Sequence, residues 1–164
     1  MQQPHRKITS IRFQGSILKR GFWIYAWRIT SGNRVVFYVG RTGDSSSLFA
    51  SSLFDRTGRH LDLNPKAKSN SLARRLWRVK LNPEDCDFEC LAFGPIFEEQ
   101  TQKDRHYKFR DRAAAIEHYV ACQLCERKHE VIGDHRCRTP ISSPDKLCIQ
   151  EFLNNDFFKG KDEN

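Results

Sequence analysis

Apolar and polar positions alternate in blocks along the chain, and the blocks change period. Phe22 to Thr30 is rich in aromatic and β-branched residues, Ser31-Gly32-Asn33 has turn chemistry, and Arg34 to Gly40 returns with Val35, Val36, Phe37, Tyr38 and Val39. Two such runs about a Gly-Asn turn predict a β-hairpin. Downstream, Phe49, Leu53, Arg56 and His60 recur at spacings of four, three and four, which puts them on one face of a helix capped by Ser45-Ser46-Ser47. Gly58 interrupts that helix, so the pattern stops it near Thr57.

Leu63 to Ser69 reads as a loop, and Ser71 to Val79 as a short helix with Leu72, Leu76 and Val79 inward. Asp87 to Phe93 predicts a third strand ended by Gly94-Pro95. Asp111 to Lys128 predicts a long helix whose stripe is Ile116, Val120 and Leu124. Pro140 to Pro144 is expected to be loop and Ile149 to Phe158 a last short helix; Ile8 to Leu18 is read as an edge strand. The order of elements implies an α/β (α+β) sandwich, a small three-stranded antiparallel sheet flanked by helices. The expected organisation is an arm over residues 1–20 that adds a strand, a domain over 21–130, and an extension over 131–164 packed on that domain.

Charge adds direction to this picture. Residues 1–83 hold 16 Lys/Arg against three acids, Asp44, Asp55 and Asp62; residues 84–164 hold 12 against 17. A basic half suggests a face made for a polyanion. Lys66, Lys68, Arg74, Arg75, Arg78 and Lys80 form a basic loop and helix suited to phosphate contact. With no apolar run of membrane length and no signal-peptide core, the expectation is a soluble, cytoplasmic protein without a membrane partner. Six cysteines in such a setting argue against a disulfide framework. Cys86 and Cys90 read as small core residues. Cys122, Cys125, His129 and Cys137 have a spacing that suits structural Zn²⁺, against the simpler reading that Cys122 packs beside the helix stripe.

One set of motifs is more specific. Trp23-Ile24-Tyr25 and Tyr38-Val39-Gly40 on the two hairpin strands, Arg56-Thr57-Gly58-Arg59-His60, the strand Asp87-Phe88-Glu89-Cys90-Leu91, and Ala115-Ile116-Glu117-His118-Tyr119 occur in this order. Together they resemble the GIY-YIG nuclease family, over about Phe22 to Leu124. The resemblance implies a GIY-YIG-like fold and a Mg²⁺-dependent (or Mn²⁺-dependent) endonuclease that hydrolyses DNA phosphodiesters, with RNA left open as a partner. It further implies Glu117 as the metal ligand, Arg56 as the clamp on the scissile phosphate, and Tyr25 as the group that positions or deprotonates the attacking water. Tyr38 would orient water or phosphate, and His60 would be base, relay or phosphate contact. Arg41, between Gly40 and Gly43, and Arg59 join the DNA-contacting set.

The chain departs from the family pattern in four ways. The gap between the two hairpin tripeptides is somewhat longer than usual. Trp23 stands where Gly is usual, the gap from Tyr38 to Arg56 is long, and the late Asn has no counterpart in place. Asn154 and Asn155 lie too far along, and His135 is the candidate substitute. The alternative from another class is a non-catalytic nucleic-acid-binding module on the same fold, with or without a zinc staple.

Overall fold

The computed structural model describes residues 8–45, 48–64 and 66–159. Strand β1 (Phe22–Ser31) pairs antiparallel with β2 (Arg34–Arg41) across the predicted turn, and with β3 (Asp87–Phe97) on its other side, giving the order β2-β1-β3. The chain thus forms a small α+β fold, a three-stranded antiparallel sheet flanked by helices. Helices α1 (Leu53–His60) and α2 (Ser71–Arg78) cover one face; α3 (Lys103–Glu126) and α4 (Ser143–Leu153) cover the other.

Double coverage explains why β1 and β2 read as nearly unbroken apolar runs. Ile24, Ala26, Phe37 and Val39 point toward α3 and α4, where they meet Ile116, Val120, Leu124, Ile149 and Phe152. Trp23, Tyr25, Ile29, Val36 and Tyr38 point toward α1 and α2, where they meet Leu53, Leu72 and Leu76. Residues beyond 130 are therefore part of the central core. Arg112 also clasps buried Asp145 through two hydrogen bonds of 3.2 and 2.7 Å.

Several sequence expectations are corrected. Ile8 to Leu18 is not a strand: the residues to Gln14 are irregular, Gly15–Leu18 is a 3-10 turn, and Ile8 and Ile11 are exposed. That segment packs on α1, with Phe13 and Phe54 ring centroids 5.0 Å apart, instead of joining the sheet edge. The cap of α1 is Ser52, whose hydroxyl accepts from Asp55 N–H at 3.2 Å. Ser46 and Ser47 lie outside the described residues, and Phe49 precedes the helix, exposed and with φ of 70°. Helix α1 also continues through Gly58 to His60, because buried Leu53 and His60 anchor both of its ends and outweigh the weak helix propensity of an exposed glycine.

Strand β3 runs four residues past Phe93, through a cis Gly94-Pro95 peptide that falls in the register irregularity between the Ile24–Phe93 and Phe22–Phe97 pairs, a place where a sheet accepts proline. Helix α3 begins eight residues before Asp111: buried His106 and half-buried Phe109 pack on Phe22 and tie down its first turns. Helix α4 starts at Ser143, with Pro144 in its first turn and Ser142 as cap, and Asp156–Phe158 is a separate 3-10 turn. Cys86 packs beside the Tyr25 side of the core, whereas Cys90 is exposed.

Candidate functional site

The site forms where β2, an edge strand, ends. Register places Tyr25 opposite Gly40 and Trp27 opposite Tyr38, so both tyrosines point to the α1 side of the sheet. Helix α1 adds Arg56 and, one turn later, His60. The Tyr25 hydroxyl oxygen lies 3.4 Å from His60 Nδ1, and both tyrosine rings approach the imidazole, with centroids 5.9 and 5.7 Å away. From α3, Glu117 meets the last residue of β2 in an ion pair with Arg41.

A segment past α3 completes the wall. Phe37 exchanges backbone hydrogen bonds of 2.8 Å with Glu130 and Ile132, which pins this segment along the open edge of β2. The chain then brings His135 to the site, with Nδ1 3.7 Å from Glu117 Oε1 and its ring centroid 5.9 Å from that of Tyr38. The resulting cavity, about 340 Å³, is lined by Tyr38, Arg41, Asp44, Arg56, Ser71, Arg75, Glu117, Asp134, His135 and Arg136, among others. Tyr25 and His60 lie beneath its floor and are fully buried.

Burial governs the protonation of this buried layer. It raises the Tyr25 phenol well above its ordinary value, further than the Arg56 guanidinium can lower it. Tyr38 is raised by burial and then by Glu117. Burial, followed by Arg56, pushes His60 down to about 3, so its imidazole is neutral at pH 7. The resting arrangement is two neutral phenols and a neutral imidazole beside paired guanidinium groups. Asp44 holds Arg56 in an ion pair. Among the described residues, seven buried side-chain polar atoms have no hydrogen-bond partner, and four of them belong here: Nε of Arg41, Nε of Arg56, Nε2 of His60 and Nδ1 of His135. The two guanidinium Nε–H groups, on Arg41 and Arg56, are donors beside the cavity, and an anion carrying several acceptor oxygens would suit them.

The donor set suits one kind of metal. Among the described residues no three His, Cys, Asp or Glu side chains gather as a ready cage. One carboxylate beside a phenol can hold a hydrated hard cation that takes its remaining ligands from water and a phosphate. The residues expected to hold zinc are not gathered. Cys122 Sγ faces His118 at 3.7 Å, Cys125 is exposed, His129 packs tilted against Phe37 with ring centroids 4.8 Å apart, and Cys137 donates to the Thr139 carbonyl at 3.6 Å.

Of the residues expected to contact DNA, Arg41 is committed to Glu117, and Arg59 to Asp55 and the Ser51 hydroxyl. Arg75 lines the cavity with its guanidinium 5.6 Å above the Tyr38 ring. Lys66, Lys68, Arg74 and Arg78 are exposed. Asp44 escaped sequence reasoning, although it carried a signal: it is one of three acids in a strongly basic half. Asp134 and Arg136, which pair with each other, gave none.

No helix among the described residues is long and apolar enough to cross a membrane. Comparison with protein-family models, with curated proteins and with solved structures gave no match to this chain.

Proposed function

We propose that this chain is a divalent-metal-dependent endonuclease of the GIY-YIG type that hydrolyses DNA phosphodiester bonds. The observation that carries the reading is one convergence. Tyr25, Tyr38, Arg56, His60 and Glu117, spread over more than ninety residues, meet at the end of one hairpin in the order the motifs predict. In this reading Arg56, with an unmet Nε and a fork of donors, grips the scissile phosphate. Tyr38, on the cavity wall, orients the phosphate or the attacking water. The Tyr25 hydroxyl, 3.4 Å from His60 Nδ1 and hydrogen-bonded to Arg56, supports that guanidinium from the buried layer. With both groups held neutral, their part is to position Arg56 and not to take the proton from water. Arg75 adds positive charge and hydrogen-bond donors to the cavity, and His135 packs beside Glu117 and Tyr38. Mg²⁺ or Mn²⁺ at Glu117 would supply charge stabilisation for the phosphoryl and leaving oxygens.

A second reading, a nucleic-acid-binding module without catalysis, draws on the Arg41–Glu117 ion pair. A guanidinium already occupies one side of the carboxylate a cation needs. Plasmid nicking with Mg²⁺ or Mn²⁺ separates the two. Nicking by wild type that falls at least a hundredfold in Glu117→Gln and in Arg56→Ala supports the enzyme, a drop on the scale of losing a transition-state electrostatic contact. Equal nicking by wild type and Glu117→Gln rejects the site. No nicking by either, with DNA retained in a binding assay, favours the module. Calorimetric titration of Mn²⁺ into wild type and Glu117→Gln reports the metal site without reference to activity.

A further inference from the structure

Helix α2 has one side in the candidate site and another outside it. Leu72, Ala73 and Leu76 are buried, which fixes the helix rotation. At about 100° per residue, the exposed arc then runs in order Arg75, Ser71, Arg78, Arg74 and Trp77. Ser71 and Arg75, at one end of this arc, line the cavity beside Tyr38 and Glu117. Trp77, at the other end, keeps 45% of its surface exposed.

Two features mark this arc. Among the described residues Arg74, Arg75 and Arg78 have no carboxylate within ion-pair distance; Arg12, Arg105, Arg127 and Arg138 have none either, but here three such groups share one helix arc, while Arg41, Arg56 and Arg59 nearby are each paired. Trp77 makes no ring contact with another aromatic side chain among the described residues, although Trp27 meets Phe88 edge to face and Trp23 is buried. Uncompensated guanidinium groups attract a phosphate backbone. An exposed indole next to them, at the end of the arc, is the partner of a base whose own stacking face is free. A base inside a duplex has both faces covered by its neighbours, whereas an unpaired base can lie flat on an aromatic ring.

We infer that α2 is a landing track for unpaired DNA. The strand's phosphates lie along Arg75, Arg78 and Arg74, one unpaired base stacks on Trp77, and the strand leads into the cavity. The inference rests on the nucleic-acid reading above and narrows it: the preferred substrate has a single-stranded segment, such as a flap, a gap or an overhang.

Binding is measured on the full chain in EDTA, where no metal-dependent cleavage takes place, with a labelled oligothymidylate strand and a fully paired duplex of equal length. Wild type binds the single strand more tightly than the duplex, and Trp77 fluorescence is quenched by the strand. Trp77→Ala weakens single-strand binding about tenfold, in line with the loss of one stacked base, and leaves duplex binding within about twofold. Trp77→Phe keeps most of the affinity, which guards against an effect on folding. Unchanged single-strand affinity in Trp77→Ala, or an equal loss on strand and duplex, overturns the inference. Arg74→Ala/Arg78→Ala separates it from the broader reading. If that variant loses affinity for both polymers while Trp77→Ala changes nothing, the track is wrong and nucleic-acid binding stands. If it binds both as wild type does, nucleic-acid binding at α2 fails with it.

Discussion

The ring of Tyr25 lies across Gly40, its register partner on the neighbouring strand. A β-carbon placed at Gly40 would sit 2.5 Å from both Cζ and the hydroxyl oxygen of that ring. The glycine at the end of the second hairpin tripeptide thus makes the space in which the tyrosine of the first one lies. That space puts the hydroxyl beside His60. A hairpin with any side chain at 40 would push the phenol out of the layer beneath the cavity.

Gly40→Ala tests this directly. The new methyl group has no room without displacing a fully buried ring, and overpacking of this kind costs about 1–3 kcal/mol. The variant is expected to melt several degrees below wild type and to lose nicking activity beyond what its stability explains. Calorimetry and plasmid nicking at a temperature where both proteins are folded check it. A thermally unchanged Gly40→Ala would mean that the ring has slack the packing does not indicate.

His60 predicts a pH dependence of stability. Its folded-state pKa, about 3, lies below the ordinary 6.5, so folding favours the neutral imidazole. The stability from this group is fully present above about pH 6.5 and is lost as the pH falls from there toward 3. The limiting slope for one proton is about 1.4 kcal/mol per pH unit. Urea unfolding of wild type and His60→Asn between pH 7 and 4 reads the difference. The variant's curve should be flatter by about one proton, and equal slopes would remove His60 from the explanation.

Thr42 is buried just past the end of β2. Its hydroxyl donates to the Gly21 carbonyl and accepts from the Trp23 N–H at 2.8 Å. Thr42→Val keeps the shape and leaves both backbone groups without this partner. The expected loss is about 1–3 kcal/mol, measured by urea unfolding. Thr42→Ser, which keeps the hydroxyl, should recover most of it.

The α2 arginines predict salt dependence. If Arg75 and Arg78 contact phosphates, wild-type affinity for DNA falls steeply with salt. Each Ala substitution should lower the slope of log K against log[salt] by about one. Arg59→Ala should change it less, because Arg59 already pairs with Asp55.

The sequence carried a large part of this protein on its surface. Local chemistry was enough for the hairpin, because Ser31-Gly32-Asn33 interrupts two apolar runs whose double burial leaves no polar alternation to mislead. It was enough for α2 and for the stripe of α3, where Leu72 and Leu76, and Ile116, Val120 and Leu124, recur at helical spacing. The five central site residues could be singled out because each sits in a short motif in a fixed order.

Tertiary contact decided the rest. The start of α3 depends on His106 and Phe109 meeting Phe22, a residue more than eighty positions away, and no local pattern contains that contact. The cap and extent of α1 depend on burial at its two ends and override the glycine within it. The arm at Ile8 to Leu18 has strand-like residues but packs on α1 away from the sheet edge. Above all, sequence could not say that Asp44 would hold Arg56, that Arg41 would take Glu117, or that a segment pinned to Phe37 would bring His135 to the cavity. Motifs name the groups present. Which charge neutralises which is settled by distance and burial, and those exist only once the sheet and its helices have closed around one another.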